Sequence, residues 1–101
     1  MLVQEQSGNI TYDITGFKKL MICDDLVELR ELEIVENAAL FSIRVSFQTE
    51  GDGKEGQVLG RYGDYQAAIQ AYELLLNAII SGAEFFSMVP KRDREIGELE
   101  Q

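Results

Sequence analysis

The chain has no histidine, no tryptophan, one proline and one cysteine in 101 residues. Without histidine it lacks the usual general base near neutral pH, the commonest metal ligand and every nucleophile–histidine dyad. Acid–base or metal chemistry would fall to carboxylates alone, so the expectation is a non-enzyme with no cofactor and no metal site. Cys23 by itself excludes an internal disulfide or a thiolate cluster, and its alternation with Ile22 in a strand-like run gives it a structural place. Long apolar runs are also missing. None approaches the ~20 residues that span a bilayer, and the opening Met1-Leu2-Val3-Gln4-Glu5 has neither a basic region nor the apolar stretch of a signal peptide. A cytoplasmic protein with no membrane partner is expected.

Cations are scarce: 9 Lys and Arg stand against 18 Asp and Glu, a net charge of −9. Such a field repels phosphate backbones, which argues against direct nucleic-acid binding. Asp24, Asp25, Glu28, Glu31, Glu33 and Glu36 form one acidic group, Glu50, Asp52 and Glu55 another. They serve solubility, or they form a surface that imitates nucleic acid and occupies the basic site of a host enzyme. Adjacent carboxylates such as Asp24 and Asp25, or Glu31 and Glu33, point to opposite faces of a strand, so solvated charges are the preferred reading over paired catalytic or Mg²⁺-binding acids.

What the chain does contain is a set of periodic segments. Apolar residues make up 46% and charged residues 27%, the proportions of a globular domain. Residues 1–90 read as a single α+β domain, and 91–101 as a charged tail expected to be disordered. Ile10, Tyr12 and Ile14 alternate with polar residues; Leu20 and Ile22 continue the pattern beyond Thr15-Gly16, which predicts a hairpin. Residues 26–35 fit a bulged strand, with a short helix capped by Asp25 as the alternative. Phe41, Ile43, Val45 and Phe47 alternate with Ser42, Arg44, Ser46 and Gln48, the clearest strand pattern present and a central core strand. A polar turn at Gly51–Gly56 and a returning strand through Val58, Leu59 and Tyr62 complete a second hairpin. That turn spells the glycine spacing of a dinucleotide-binding loop, yet it leads into a strand rather than a helix, and its Asp52 and Glu55 would repel a phosphate.

The segment from Asp64 to Gly82 is a helix, with Asp64 as N-cap and Gly82 as the left-handed stop. Gln66, Gln70, Glu73, Asn77 and Ser81 share one stripe, leaving apolar side chains over roughly 240° of the circumference. A helix so apolar needs cover on more than one side, from its own sheet and from a second copy of the chain. Phe85, Phe86, Met88 and Val89 follow as an apolar patch that folds back on the sheet or onto a neighbouring subunit, and Pro90 ends it. Tyr62, Tyr65 and Tyr72 with these phenylalanines read as core or interface packing rather than an aromatic binding platform. The predicted fold is therefore an α+β one, an antiparallel meander sheet of four to six strands followed by one long C-terminal helix packed on one face. The predicted interface residues are Leu74, Ala78, Ile80, Phe85, Phe86 and Met88.

The opening Met1-Leu2-Val3 with Asn9-Ile10, then Leu59-Gly60-x-Tyr62, an alanine-rich helix and Phe86-x-Met88-x-Pro90, resembles small uncharacterised proteins of Gram-positive bacteria and their phages. Val89 between Met88 and Pro90 departs from the Met-Pro ending of that group. The resemblance implies a phage or prophage origin and carries no activity, cofactor or catalytic residue. Three functions are consistent with these features: a homo-oligomeric, non-enzymatic protein that binds another protein, which is preferred; an acidic decoy of nucleic acid; and a small carboxylate-based metal-dependent enzyme.

Overall fold

The first strand, β1 (Leu2–Gln4), turns through Gln6–Asn9 into β2 (Thr11–Asp13), with Glu5 N–H donating to the Ile10 carbonyl at 2.8 Å. The computed structural model describes residues 1–25, 41–51 and 56–90, and within them the fold is α+β. Beyond β2 the chain does not fold back as the predicted first hairpin. At Thr15-Gly16 it crosses to a second sheet instead, where Lys18 N–H meets the Ser46 carbonyl and β3 (Lys19–Asp24) pairs antiparallel with β4 (Phe41–Ser46). Strand β2 pairs with β1 and β3 with β4, so the runs on either side of Thr15-Gly16 belong to different sheets. The second hairpin forms as predicted: β4 pairs antiparallel with β5 (Gln57–Tyr62).

Helix α1 (Tyr65–Ile80) follows, and its ends match the sequence reading. The Asp64 carboxylate accepts from Ala67 N–H at 2.8 Å, and Gly82 takes a φ of 81° that a side chain would oppose. The helix is not the last element. Strand β6 (Phe85–Ser87) runs parallel to β1, so that Leu2, Val3 and Gln4 face Phe85, Phe86 and Ser87. In place of one meander, the described residues make two three-stranded sheets, β2-β1-β6 and β3-β4-β5. The Phe85–Val89 patch thus folds back on the protein's own first strand. The readings for residues 26–35 and for the tail 91–101 lie outside the described residues.

The core fills the space between the sheets and α1. Val3 and Met88 come from the first sheet and its margin, Ile43, Val45 and Leu59 from the second, and Leu75 from the helix. Leu59 reaches this core through a register shift against Ile43 and Arg44, which turns two successive β5 residues toward the same side. Gly60 beside it leaves room for the Tyr62 ring: a Cβ there would lie 2.8 Å from the Tyr62 hydroxyl oxygen and 3.1 Å from Cε2. Phe47, predicted to extend the core face of β4, lies past the end of the strand and is exposed.

Candidate functional site

Two features stand apart from ordinary packing. The first is an ionic cluster on the face of β3-β4-β5 that carries Ser42, Arg44 and Arg61. Ser42 and Arg61 are direct cross-strand partners and Arg44 is two residues along β4, so the strand period brings all three to one side. Asp25, just past β3, receives Arg44 Nη2 on one carboxylate oxygen and Arg61 Nη1 on the other, both at 3.1 Å. Arg44 Nε also donates to Ser42 Oγ at 2.9 Å. The Asp25 side chain is 1% exposed and that of Arg44 8%, against 47% for Arg61. A carboxylate so placed persists only when paired, and here two guanidinium groups share it.

This corrects the reading of Asp24 and Asp25 as solvated charges. Asp24 is exposed, but Asp25 is among the most buried residues in the protein. Their adjacency did send them to opposite environments, and one of those is the interior. Sequence reasoning also missed Arg44 as a buried residue. The available signal was an arginine in the midst of the most clearly alternating strand, flanked at two-residue spacing by the small Ser42 and Ser46, both buried. Beside the cluster the Gln6 carboxamide completes the edge of β5: its Nε2 donates to the Arg61 carbonyl and its Oε1 accepts from Arg61 N–H, both at 2.8 Å. Gln6 N–H donates to the Leu59 carbonyl, which ties the first sheet to the second. Among the described residues, no group of three or more Asp, Glu or Cys side chains converges as a metal site would require.

The second feature is a groove of about 540 Å³ between α1 and β6. Ala67, Gln70, Ala71 and Leu74 form the helical wall, Phe86–Pro90 the opposite wall, with Gln6 and Tyr62 completing it. The helix turns Ala68 and Leu75 directly to the sheet. At about 100° per residue, this leaves Leu74 on the flank facing the groove and Ile80 beside the polar stripe. Leu74 is accordingly 61% exposed and Ile80 73%. Burial holds the Tyr62 phenol above its ordinary pKa range.

The predicted interface residues therefore separate. Leu74, Phe86 and Met88 line the groove, although Met88 is mostly committed to the core. Ala78 is half-buried on α1. Ile80 and Phe85 are both exposed and flank the Ser81–Glu84 turn, and Phe85 shares its outward face with its cross-strand partner Leu2, also exposed. Of the aromatic residues read as packing, Tyr72 reaches the Leu20 carbonyl at 3.5 Å and Tyr65 meets the Phe41 ring at 5.6 Å between centroids. No protein-family model matches the chain, and no curated protein or solved structure is significantly similar to it.

Proposed function

We propose that the protein is a non-enzymatic, homo-oligomeric interaction protein, a dimer in its simplest form, that works by binding another protein; a phage or prophage origin belongs to the same proposal and rests on the resemblance alone. The observation that supports it is the large apolar surface that α1 and β6 leave in water at Leu74, Ile80 and Phe85. Covering one such side chain is worth about 1.5–3 kcal/mol, and a two-fold contact covers each of them twice. Ile80 and Phe85, with Leu2, supply the surface for a second copy.

Sedimentation velocity of the full chain tests the reading. The wild type is expected to sediment as a dimer at micromolar concentration. Ile80→Glu, at an exposed position, is expected to weaken the dimer at least about tenfold, the equivalent of 1.4 kcal/mol, with an unchanged circular dichroism spectrum. A wild-type chain that stays monomeric up to millimolar concentration would refute self-association.

A further inference from the structure

Gln6 occupies the outer edge of β5 as a strand would. Among the described strands β5 is the last of its sheet, with β4 on its inner side. On the other side, the Leu59 carbonyl accepts from Gln6 N–H at 2.9 Å. Two residues on, Arg61 donates its N–H to Gln6 Oε1, and its carbonyl accepts from Gln6 Nε2, both at 2.8 Å. A carboxamide offers the same kind of donor and acceptor as a peptide unit, so this pair reproduces the double exchange between facing residues of an antiparallel ladder. One residue thereby makes the bonds that a neighbouring strand would make.

The β1–β2 turn holds Gln6 in that place. Glu5 N–H donates to the Ile10 carbonyl at 2.8 Å and Gly8 N–H to the Glu5 carbonyl at 2.9 Å, with Gly8 at a φ of 84°. The Glu5 carboxylate accepts from Ser7 N–H, and Gln4 Nε2 donates to the Gly8 carbonyl at 3.1 Å. Both carboxamide bonds to Arg61 are nevertheless exposed to water. Water can replace either of them, so their net contribution to stability is small, while fixing Gln6 costs the rotamer freedom of a long side chain. What water does not do is obstruct another strand, and an edge with open main-chain groups recruits one. The sequence of β5, Gln-Val-Leu-Gly-Arg-Tyr, has no proline to blunt it, and its single charge, Arg61, is drawn to Asp25 at 3.1 Å.

We infer that Gln6 is a built-in plug: its carboxamide closes the edge of β5 at residues 59–61 to strand addition, and the strand it keeps out is β5 of a second copy. Two identical edges brought together antiparallel are self-complementary, since the outward N–H and C=O groups of one meet those of the other about a two-fold axis. The device is separate from the surface at Ile80 and Phe85. If that surface makes a dimer, opening β5 adds a second two-fold contact and joins dimers into larger assemblies. If the protein is a monomer, opening β5 makes a dimer.

The test begins with NMR of the isotopically labelled wild-type chain, in which the Gln6 carboxamide protons should exchange slowly with solvent and lie close to the Arg61 amide. A carboxamide averaged by free rotation would overturn the inference. Gln6→Ala removes the plug. In dilute solution it should raise the exchange rate of the Arg61 amide about tenfold or more, and in sedimentation velocity it should form assemblies larger than those of the wild type as concentration rises, with an unchanged circular dichroism spectrum. Gln6→Lys loses the same carboxamide bonds but leaves a charge on the edge, so it should match the alanine variant in exchange and the wild type in sedimentation. Should the alanine variant fail to fold, Gln6→Asn, one methylene shorter and unable to meet both Arg61 groups, carries the same two readouts. Four results would overturn the inference: unchanged Arg61 exchange in Gln6→Ala, no added association of that variant up to millimolar concentration, association only with loss of the native circular dichroism spectrum, or equal association of the alanine and lysine variants.

Discussion

The Asp25 cluster makes a prediction whose size follows from burial. Asp25→Asn removes the charge that two arginines share while nearly preserving shape. Arg44, whose side chain is 8% exposed, then loses this carboxylate in a buried place. Breaking such a pair from one side costs about 3–5 kcal/mol. Arg61 is 47% exposed, so solvent already screens its half of the cluster. Arg61→Ala should therefore cost under about 1 kcal/mol, even though both arginines lie at 3.1 Å from the same carboxylate. A domain of this size has a total stability of about 5–15 kcal/mol, so the Asp25 variant loses a large share of it and the Arg61 variant little. Urea unfolding followed by circular dichroism measures both, with the slope against urea unchanged if the native and unfolded states keep their surface areas. A paired replacement sharpens the test. Asp25→Leu with Arg44→Met exchanges the buried ions for hydrocarbon and should recover most of the loss of Asp25→Asn, since buried pairs often contribute little net stability over apolar residues. Equal losses for Asp25→Asn and Arg61→Ala would refute the reasoning, as would a loss below about 1 kcal/mol for Asp25→Asn.

Two further outcomes concern β5. Gly60→Ala places a Cβ within 2.8 Å of the Tyr62 hydroxyl and displaces a ring that packs on the core; the expected loss is about 1–3 kcal/mol, read by thermal unfolding, and Gly60→Ala with Tyr62→Leu should recover part of it. Burial raises the Tyr62 pKa, so the folded state holds this proton longer than the unfolded chain does. Its contribution to stability is complete below the ordinary tyrosine value of 10.0 and is lost as pH rises above it. Ultraviolet titration of the phenolate should show one tyrosine ionising late in the wild type and none so late in Tyr62→Phe, and an unchanged late fraction would assign the shift to another residue.

Helix α1, its Asp64 cap and its Gly82 stop were readable from the sequence because each signal spans a turn or two: a side-chain period, a carboxylate three residues before the N–H it accepts from, a glycine where φ is positive. The β4–β5 hairpin was readable for a similar reason, since its two alternating runs follow one another along the chain and pair antiparallel. The groove was visible in part. The excess of apolar surface on α1 singled out Leu74 and Ile80, while which of them would face β6 depended on the angle at which Ala68 and Leu75 meet the sheet.

Composition and local pattern thus determined an acidic α+β chain with a capped, over-apolar helix and a strong central strand. Tertiary structure alone decided that the strands divide into two sheets, that β6 lies parallel to β1, and that Asp25 enters the interior between two arginines. The physical reason is range. A helix is specified by contacts three or four residues apart, whereas the bond joining Gln4 to Ser87 spans 83 positions and that joining Asp25 to Arg61 spans 36. No periodicity encodes such pairings. They arise only when the packed chain brings distant strands together and gives a buried ion its countercharges.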